Sequence, residues 1–387
     1  MTVSNTLTNI MPKILARGLL ALREQAVMAR LVNVDYGTES RQKGQTIDIP
    51  VSKPKTATDV TPGPVPASAS NSAPGLIQMT LDNWKKADFY LTDKEAVEID
   101  QNAHFVPMEA QEAIKALANT VTLDIYGEYK GVYGWVGQAD GSTAVDPFAS
   151  SITDATDARK VLNTQLAPID MRRIVLDPSG EANALGLPQL SDFDKIGEQR
   201  PRIEGELGRK MGMDWYMDQL VPTHTKGTAA TITFGSTIAA GASTIELNAS
   251  TAGTLQLGDV FTIAGDTQTY VATATATLTS GGKVAVNIRP ALQATASTGD
   301  AVTVKASHKV NLAFHRDAFA FANRPLTTAG AGADLGSVFL SQTDPVTGLS
   351  LRLEVSRQYK QVVWEFDVLW GTKLIRPEFA ARIAGAL

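Results

Sequence analysis

The sequence predicts an α+β fold in which a self-contained all-β module is inserted into a mixed domain. Four observations carry that prediction. Across residues 227–304 the chain turns Thr-, Ala- and Gly-rich, poor in aromatics and sparing in charge. Denser stretches flank it, GELGRKMGMDWYMDQLVPTHTKG before and HKVNLAFHRDAFAFANRPL after. The longest helical periodicity of the chain begins at Pro107. After the module, Leu351, Leu353 and Val355, then Val362, Trp364, Phe366 and Val368, alternate as strand residues do.

Composition bounds the answer. A chain of 387 residues has room for roughly two or three domains. With 43% hydrophobic and 19% charged residues it is an ordinary folded protein. A net charge of -5 leaves no global basic footprint for nucleic acid. There is no cysteine, which excludes disulfide staples, thiolate metal sites and a Cys nucleophile, and fits a reducing compartment. No apolar run is long enough to span a bilayer. The amphipathic N-terminus lacks the apolar core and cleavage site of a signal peptide, so a soluble intracellular chain is expected.

In chain order, residues 12–32 read as a helix, with Ile14, Leu15, Leu19, Leu22, Met28 and Leu31 at near-helical spacing. Its cations Lys13, Arg17, Arg23 and Arg30 outnumber Glu24; they suit a solvated face, or an arm facing an acidic partner such as packaged DNA. TIDIPVS alternates as a strand through Ile47, Ile49 and Val51. The Pro-, Ser- and Ala-rich run KPKTATDVTPGPVPASASNSAPG then has no hydrophobic period. Residues 76–92 are extended again. Two strands around such a tip predict a projecting hairpin, suited to gripping a neighbouring subunit or else a passive surface insertion.

Pro107 stands where a helix favours proline, at its first turn. Ala110, Ile114, Leu117, Ala118, Val121, Ile125, Tyr129 and Val132 follow, and Gly131, Gly134 and Gly137 mark the exit. At about 25 residues such a helix is about 37 Å long, a strut across a domain. Residues 153–166 form a second helix ended by Pro168, and MRRIVLDPSG a strand running into a turn at Asp177–Pro178. Inside the module TITFGS, STIELNAS, DVFTIAG, TQTYVATATATLT, KVAVNIRPAL and AVTVKAS read as short strands, spaced as in a small barrel or sandwich. Strands on both sides of the module are expected to share one sheet.

No catalytic constellation emerges. His104, His224, His308 and His315 are far apart in sequence, with no HExxH spacing. His224 and His308 flank the module, which points to a structural role at its stem. Gly330, Gly332 and Gly336 lack the Lys-Ser/Thr of a phosphate loop and read as a flexible loop. No GxSxG elbow appears, and the carboxylates are scattered singly. Lys85 and Lys86 can pair with a neighbour's acid or simply be solvated. The basic stretch 352–360 alternates like sheet surface more than like a nucleic-acid platform. Phe234, Phe261 and Tyr270, the aromatics of the module, suit its small core better than a glycan-binding face. Catalytic, cofactor and metal residues are therefore given as none, and the chain is expected not to be an enzyme.

Taken in order, these segments resemble a tailed-bacteriophage major capsid protein of the P22 coat-protein family, on the HK97-type fold. The resemblance covers essentially the whole length. It rests on GELGRKMGMDWYMDQLVPTHTKG leading into the insertion, LQLGDVFTIAG within it, NLAFHRDAFAFANRPL at the re-entry and the ending LWGTKLIRPE. It implies an N-arm over 1–43, an extended E-loop over 44–93, and a peripheral domain with the spine helix over 94–153. An axial domain would begin at 154–226, an inserted β-barrel would fill 227–304, and 305–387 would complete the axial and peripheral domains.

The implied function is a coat protein that self-assembles through hexamers and pentamers into an icosahedral virion shell around double-stranded DNA, built in the bacterial cytoplasm. Implied partners are further copies, a separate scaffolding protein, a portal, a possible decoration protein and non-specifically contacted DNA; no membrane and no cofactor are implied. Two departures stand out. The stretch FGSTIAAGAST is short and nearly uncharged where the family's best-known member carries a long charged hairpin, which puts cross-capsomer contacts there in doubt. No charged helical region precedes the N-arm, so no fused scaffolding domain is expected. The alternatives are another virion component, such as a tail tube or decoration protein, and an enzyme or carbohydrate binder using the β-module. A tube protein would not need the Pro107 helix.

Overall fold

The computed structural model describes residue 15 and residues 27–38, 46–52, 57, 59–60, 62, 74–94, 105–137, 144–191, 205, 207–324, 337–343 and 349–387. Leu15 is helical, and the first described run of residues holds a short helix, α1 (Val27–Leu31). Strands β1 (Thr46–Val51) and β2 (Gly75–Thr80) then form the expected hairpin, with Thr46 opposite Thr80 and Val51 opposite Gly75. Period-two alternation decides its faces. Ile47, Ile49 and Met79 are buried with Ala320, Ala322 and Leu369, whereas Asp48 accepts a hydrogen bond from exposed Gln78. Most of the expected tip, like most of residues 12–26, lies outside the described residues.

The extended run 76–92 is two strands. After Leu81 and Asp82 the chain leaves the hairpin, and β3 (Asn83–Thr92) joins another sheet.

Helix α2 (Phe105–Gly127) begins two residues before Pro107 and ends in a 3-10 turn, Glu128–Gly131. Its 23 residues give a length of about 34 Å at 1.5 Å per residue. The predicted stripe is its buried face: Ala110, Ile114, Leu117, Ala118, Val121 and Ile125 pack on a five-stranded sheet.

The centre of that sheet is β21 (Gln361–Leu374), which lies with β18 (Phe319–Arg324), β19 (Ser337–Thr343) and β20 (Ser350–Gln358). Strand β21 pairs with β3, with β20 and, further along, with β18; β19 adds to β20. The alternating Leu351, Leu353, Val355, Trp364, Phe366 and Val368 all face α2. Asp124 ties the helix end down. Its Oδ2 accepts from Asn83 Nδ2 at 2.7 Å and Trp370 Nε1 at 2.8 Å.

A second, seven-stranded sheet holds β4 (Gly134–Val136), β5 (Arg172–Leu176), β6 (Arg209–Lys210), β7 (Met213–Met217), β8 (Thr223–His224), β17 (His308–His315) and β22 (Ala380–Gly385). Their order is β4-β22-β17-β5-β7-β6, with β8 also on β17. Helices α3 (Thr153–Thr164), α4 (Pro178–Gly186) and α5 (Pro188–Ser191) accompany it, and Ala155, Ala158, Leu162, Ala184 and Leu190 share its core. Asp177–Pro178 is a helix start: Asp177 caps α4 by accepting from Gly180 N, with proline in the first turn.

Contrary to expectation, the strands on the two sides of the module do not all share one sheet. The strands beside the insertion, β7, β8 and β17, do share a sheet, but β20 and β21 belong to the other one. Alternation announces a buried face without saying what covers it, and α2 covers theirs.

The module is a closed barrel. Strands β9 (Ala230–Phe234), β10 (Thr244–Thr251), β12 (Val260–Ile263), β13 (Thr269–Ala272), β15 (Val284–Arg289) and β16 (Ala301–Val304) close in the order β10-β15-β13-β12-β16-β9. Beside them β11 (Gly253–Leu255) pairs with β14 (Ala276–Leu278), so TQTYVATATATLT supplies two strands where one was expected. Closure leaves the barrel no open edge. Phe234, Phe261 and Tyr270 are buried inside with Ile245, Leu247 and Val286.

Candidate functional site at the seam between barrel and sheet

The chain enters the barrel from β8 and leaves it into β17, and these two strands pair with His224 opposite His308. The two histidines, distant in sequence, thus stand side by side at the stem, their rings 5.4 Å apart. The barrel rests on the sheet there through an apolar seam of Tyr133, Trp135, Ala144 and Ala384 against Val260, Val271 and Ala306. Thr269 Oγ1 donates across it to Tyr133 O at 2.7 Å.

Polar groups are buried in the same place. Asp259, just ahead of β12, is fully buried; its Oδ1 accepts from His224 Nε2 at 2.9 Å. Its Oδ2 accepts from Gly227 N at 3.0 Å and Gln256 N at 2.7 Å. With Nε2–H donating to Asp259, His224 Nδ1 accepts from the Tyr129 hydroxyl at 3.0 Å. Burial raises the Tyr129 phenol above its ordinary range, which keeps that proton in place.

Arg382, on β22, is also fully buried. It donates Nη1 to Gly258 O at 2.8 Å and lies 5.0 Å from the centre of the Tyr129 ring. Burial pushes its pKa down to about 10, so it stays charged at neutral pH and balances Asp259. His308 donates Nδ1–H to Ala306 O at 2.8 Å and meets Trp135 edge-on at 4.6 Å; burial pushes its pKa down to about 3. The backbones cross closely as well. A Cβ on Gly227 would stand 2.0 Å from Thr254 O, so only glycine fits that crossing.

Chemically this arrangement fixes two bodies against one another. Among the described residues no three His, Asp or Glu gather as a metal site.

Comparison with protein-family models and with curated protein sequences found no match. Among solved structures, a chain from that of Mycobacterium phage Che8 is 14% identical, over 93% of this chain and 91% of that one, with a TM-score of 0.53. A chain from the capsid structure of cyanophage P-SCSP1u is 12% identical, over 92% of this chain and 86% of that one, with a TM-score of 0.50. The chain shares the fold of a phage capsid chain. At these identities the likeness is one of fold.

Within this capsid fold the other residues singled out in the sequence scatter. Lys86 lies on β3, outside the β1–β2 hairpin, and pairs within the chain with Glu365 at 3.0 Å and Asp88 at 3.6 Å; Lys85 is exposed beside it. The basic stretch 352–360 is only partly sheet surface. Arg357 is exposed and pairs with Asp93 at 2.7 Å, but Arg352 is buried and held by both oxygens of Asp367. Alternation put Arg352 on the face away from α2, and Trp84, which donates Nε1 to Asp367, helps cover it. His315 caps the 3-10 turn after β17 by accepting from Asp317 N. Arg30 is exposed on α1. His104, Lys13, Arg17, Arg23, Gly330, Gly332 and Gly336 lie outside the described residues.

Tyr129, Asp259 and Arg382 were missed as site residues. Arg382 does leave a signal, a lone cation inside the apolar ending AARIAG. Asp259 follows Gly258 in LQLGDVFTIAG, where an aspartate reads as an ordinary turn residue.

Proposed function

We propose that this chain is the major capsid (coat) protein of a tailed bacteriophage, assembling as many copies into an icosahedral shell around double-stranded DNA. The observation that carries the proposal is the likeness of fold to a chain of Mycobacterium phage Che8, over 93% of this chain and 91% of that one, and to a cyanophage capsid chain, over 92% and 86%. The inserted barrel supports kinship with the P22 coat-protein group of the HK97-type fold. On this reading residues 1–43 are the N-arm and 44–93 the E-loop, with β1 and β2 as its base. Residues 94–153 hold α2 as the spine of the peripheral domain. Residues 154–226 begin the axial domain, 227–304 are the insertion, and 305–387 complete the axial and peripheral parts. The role is structural and non-enzymatic. Shell formation repeats modest interfaces by symmetry, through hexamers and pentamers. A separate scaffolding protein, a portal and a decoration protein are the proposed partners, with assembly in the host cytoplasm and a final place in the virion.

Negative-stain electron microscopy of the purified protein, with and without a candidate scaffolding protein, tests this. Closed shells are the expected product. Stacked rings or tubes would point to a tail component, and a monomer under every condition would overturn the proposal.

A further inference from the structure

The polar cluster under the barrel carries more than shell formation asks of it. Five segments converge there: Tyr129 from the turn after α2, His224 from β8, Asp259 from the barrel, His308 from β17 and Arg382 from β22. Asp259 has a donor on each oxygen, three in all. His308 is different. Its Nδ1–H is committed to Ala306 O, and its buried Nε2 has no partner among the described residues. Arg382, whose Nε and Nη2 are likewise unpartnered there, adds positive charge beside it.

The surroundings offer a second proton on His308 no counter-charge. From β8 it faces His224, from β22 Arg382 and from β4 the Trp135 ring, set at right angles to it. Asp259 is engaged by His224, and Tyr129 lies beyond that ring. Lys130 packs against Gly258, Lys305 is buried on the chain leading into β17, and Lys309 is paired with Asp177 at 3.2 Å.

We propose that this cluster is an acid-released latch, which holds the barrel on the seven-stranded sheet while His308 is neutral and frees the stem when His308 takes up a proton. The inference concerns the single chain and holds whether or not the chain builds a shell. On this proposal, separation of barrel from sheet opens the stem and brings Nε2 to water, where an imidazole has its ordinary pKa of about 6.5. Docked, burial holds His308 at about 3. The released state therefore binds one more proton between those values. Docking is at full strength above about pH 6.5 and weakens by up to about tenfold per pH unit as the pH falls toward 3. The apolar seam of Tyr133, Trp135, Val260 and Val271 is uncovered as the latch opens.

Hydrogen–deuterium exchange of the full chain from pH 7 to pH 4, corrected for intrinsic exchange, reads this directly. Protection of residues 222–228, 256–260 and 305–310 is expected to fall by about tenfold per pH unit below pH 6, while α2 and β13 keep theirs. His308→Gln, which has no proton to gain, is expected to remove the slope. Should that variant fail to dock, the His308 ring signal of the unaltered protein, followed by NMR, is expected not to titrate above pH 4 while the stem stays protected. Flat stem protection, loss in step with α2, an unchanged slope in His308→Gln, or a His308 titration near 6.5 in the docked protein would each overturn the latch.

Discussion

Two carboxylates organise this molecule at the scale of single residues. Asp124 gathers β3 and β21 to the end of α2, and Asp259 gathers His224 and two backbone amides to the barrel. Removing Asp259 leaves Arg382 buried without its counter-charge and strands the donors. Asp259→Ala is expected to cost about 3–5 kcal/mol in urea unfolding of the full chain, with Asp259→Asn intermediate because an amide oxygen still accepts from Gly227 N and Gln256 N. A loss below about 1 kcal/mol would show the cluster to be passive.

A second residue-level feature points outward. Leu166, Ile169 and Met171 are exposed, at 87%, 67% and 49%, and Leu166 and Met171 hold positive φ. Buried Arg172 pins that loop by donating to Pro168 O, Ala167 O and Asn163 Oδ1. Apolar side chains held rigidly in water suit a surface that another chain covers. On the proposed function, the double change Leu166→Asp and Ile169→Asp should leave protomer stability within about 0.5 kcal/mol and reduce shell yield on sizing columns. Unimpaired shells would show the loop to be uncovered in the particle. Neither feature was legible in the sequence, because a carboxylate's partners and a loop's exposure are set by chain crossings that no local pattern records.

At the scale of elements far more was legible, and the reason is periodicity. The stripe from Ala110 to Ile125 and the alternation in β20 and β21 are the faces that the core uses, since a helix or strand can bury only the side its spacing makes apolar. What failed were statements about company. The run 76–92 held no local sign that β2 would stay in the hairpin while β3 crossed to β21, and Arg352 gave no sign that Asp367 stood on the neighbouring strand. The barrel strands were legible from turns between short Thr- and Val-rich runs, but closure was not, because it depends on β9 meeting both β10 and β16. The hairpin carries the prediction at this scale. Its base is anchored by Ile47, Ile49 and Met79, all outside residues 57–72. Deleting 57–72 is therefore expected to leave the thermal midpoint of the protomer unchanged and to impair assembly, scored by particle counts in electron micrographs. Normal shells from the deletion would mark that segment as filler.

On the scale of the whole molecule the barrel is an insertion that its host also needs. Its entry and exit stand opposite each other at His224 and His308, so a short linker can replace the barrel without breaking the seven-stranded sheet. The seam makes the removal costly: Tyr133, Trp135 and Ala384 lose their cover, and Arg382 loses Gly258 O and Asp259. These two facts give a prediction with a built-in control. In the full chain Arg382→Leu removes the buried positive charge that balances Asp259, leaving it only its hydrogen-bond donors, and should cost about 3–5 kcal/mol. In the chain with residues 227–305 replaced by a short Gly/Ser linker, Arg382 faces water and has no buried counter-charge to lose. There the same substitution should change stability by less than about 0.5 kcal/mol. The coupling between substitution and deletion, read from denaturant unfolding of the four proteins, is then most of the single-substitution cost. Equal costs in both backgrounds would mean that Arg382 serves the sheet alone, and that the barrel is held by the apolar seam without help from charge.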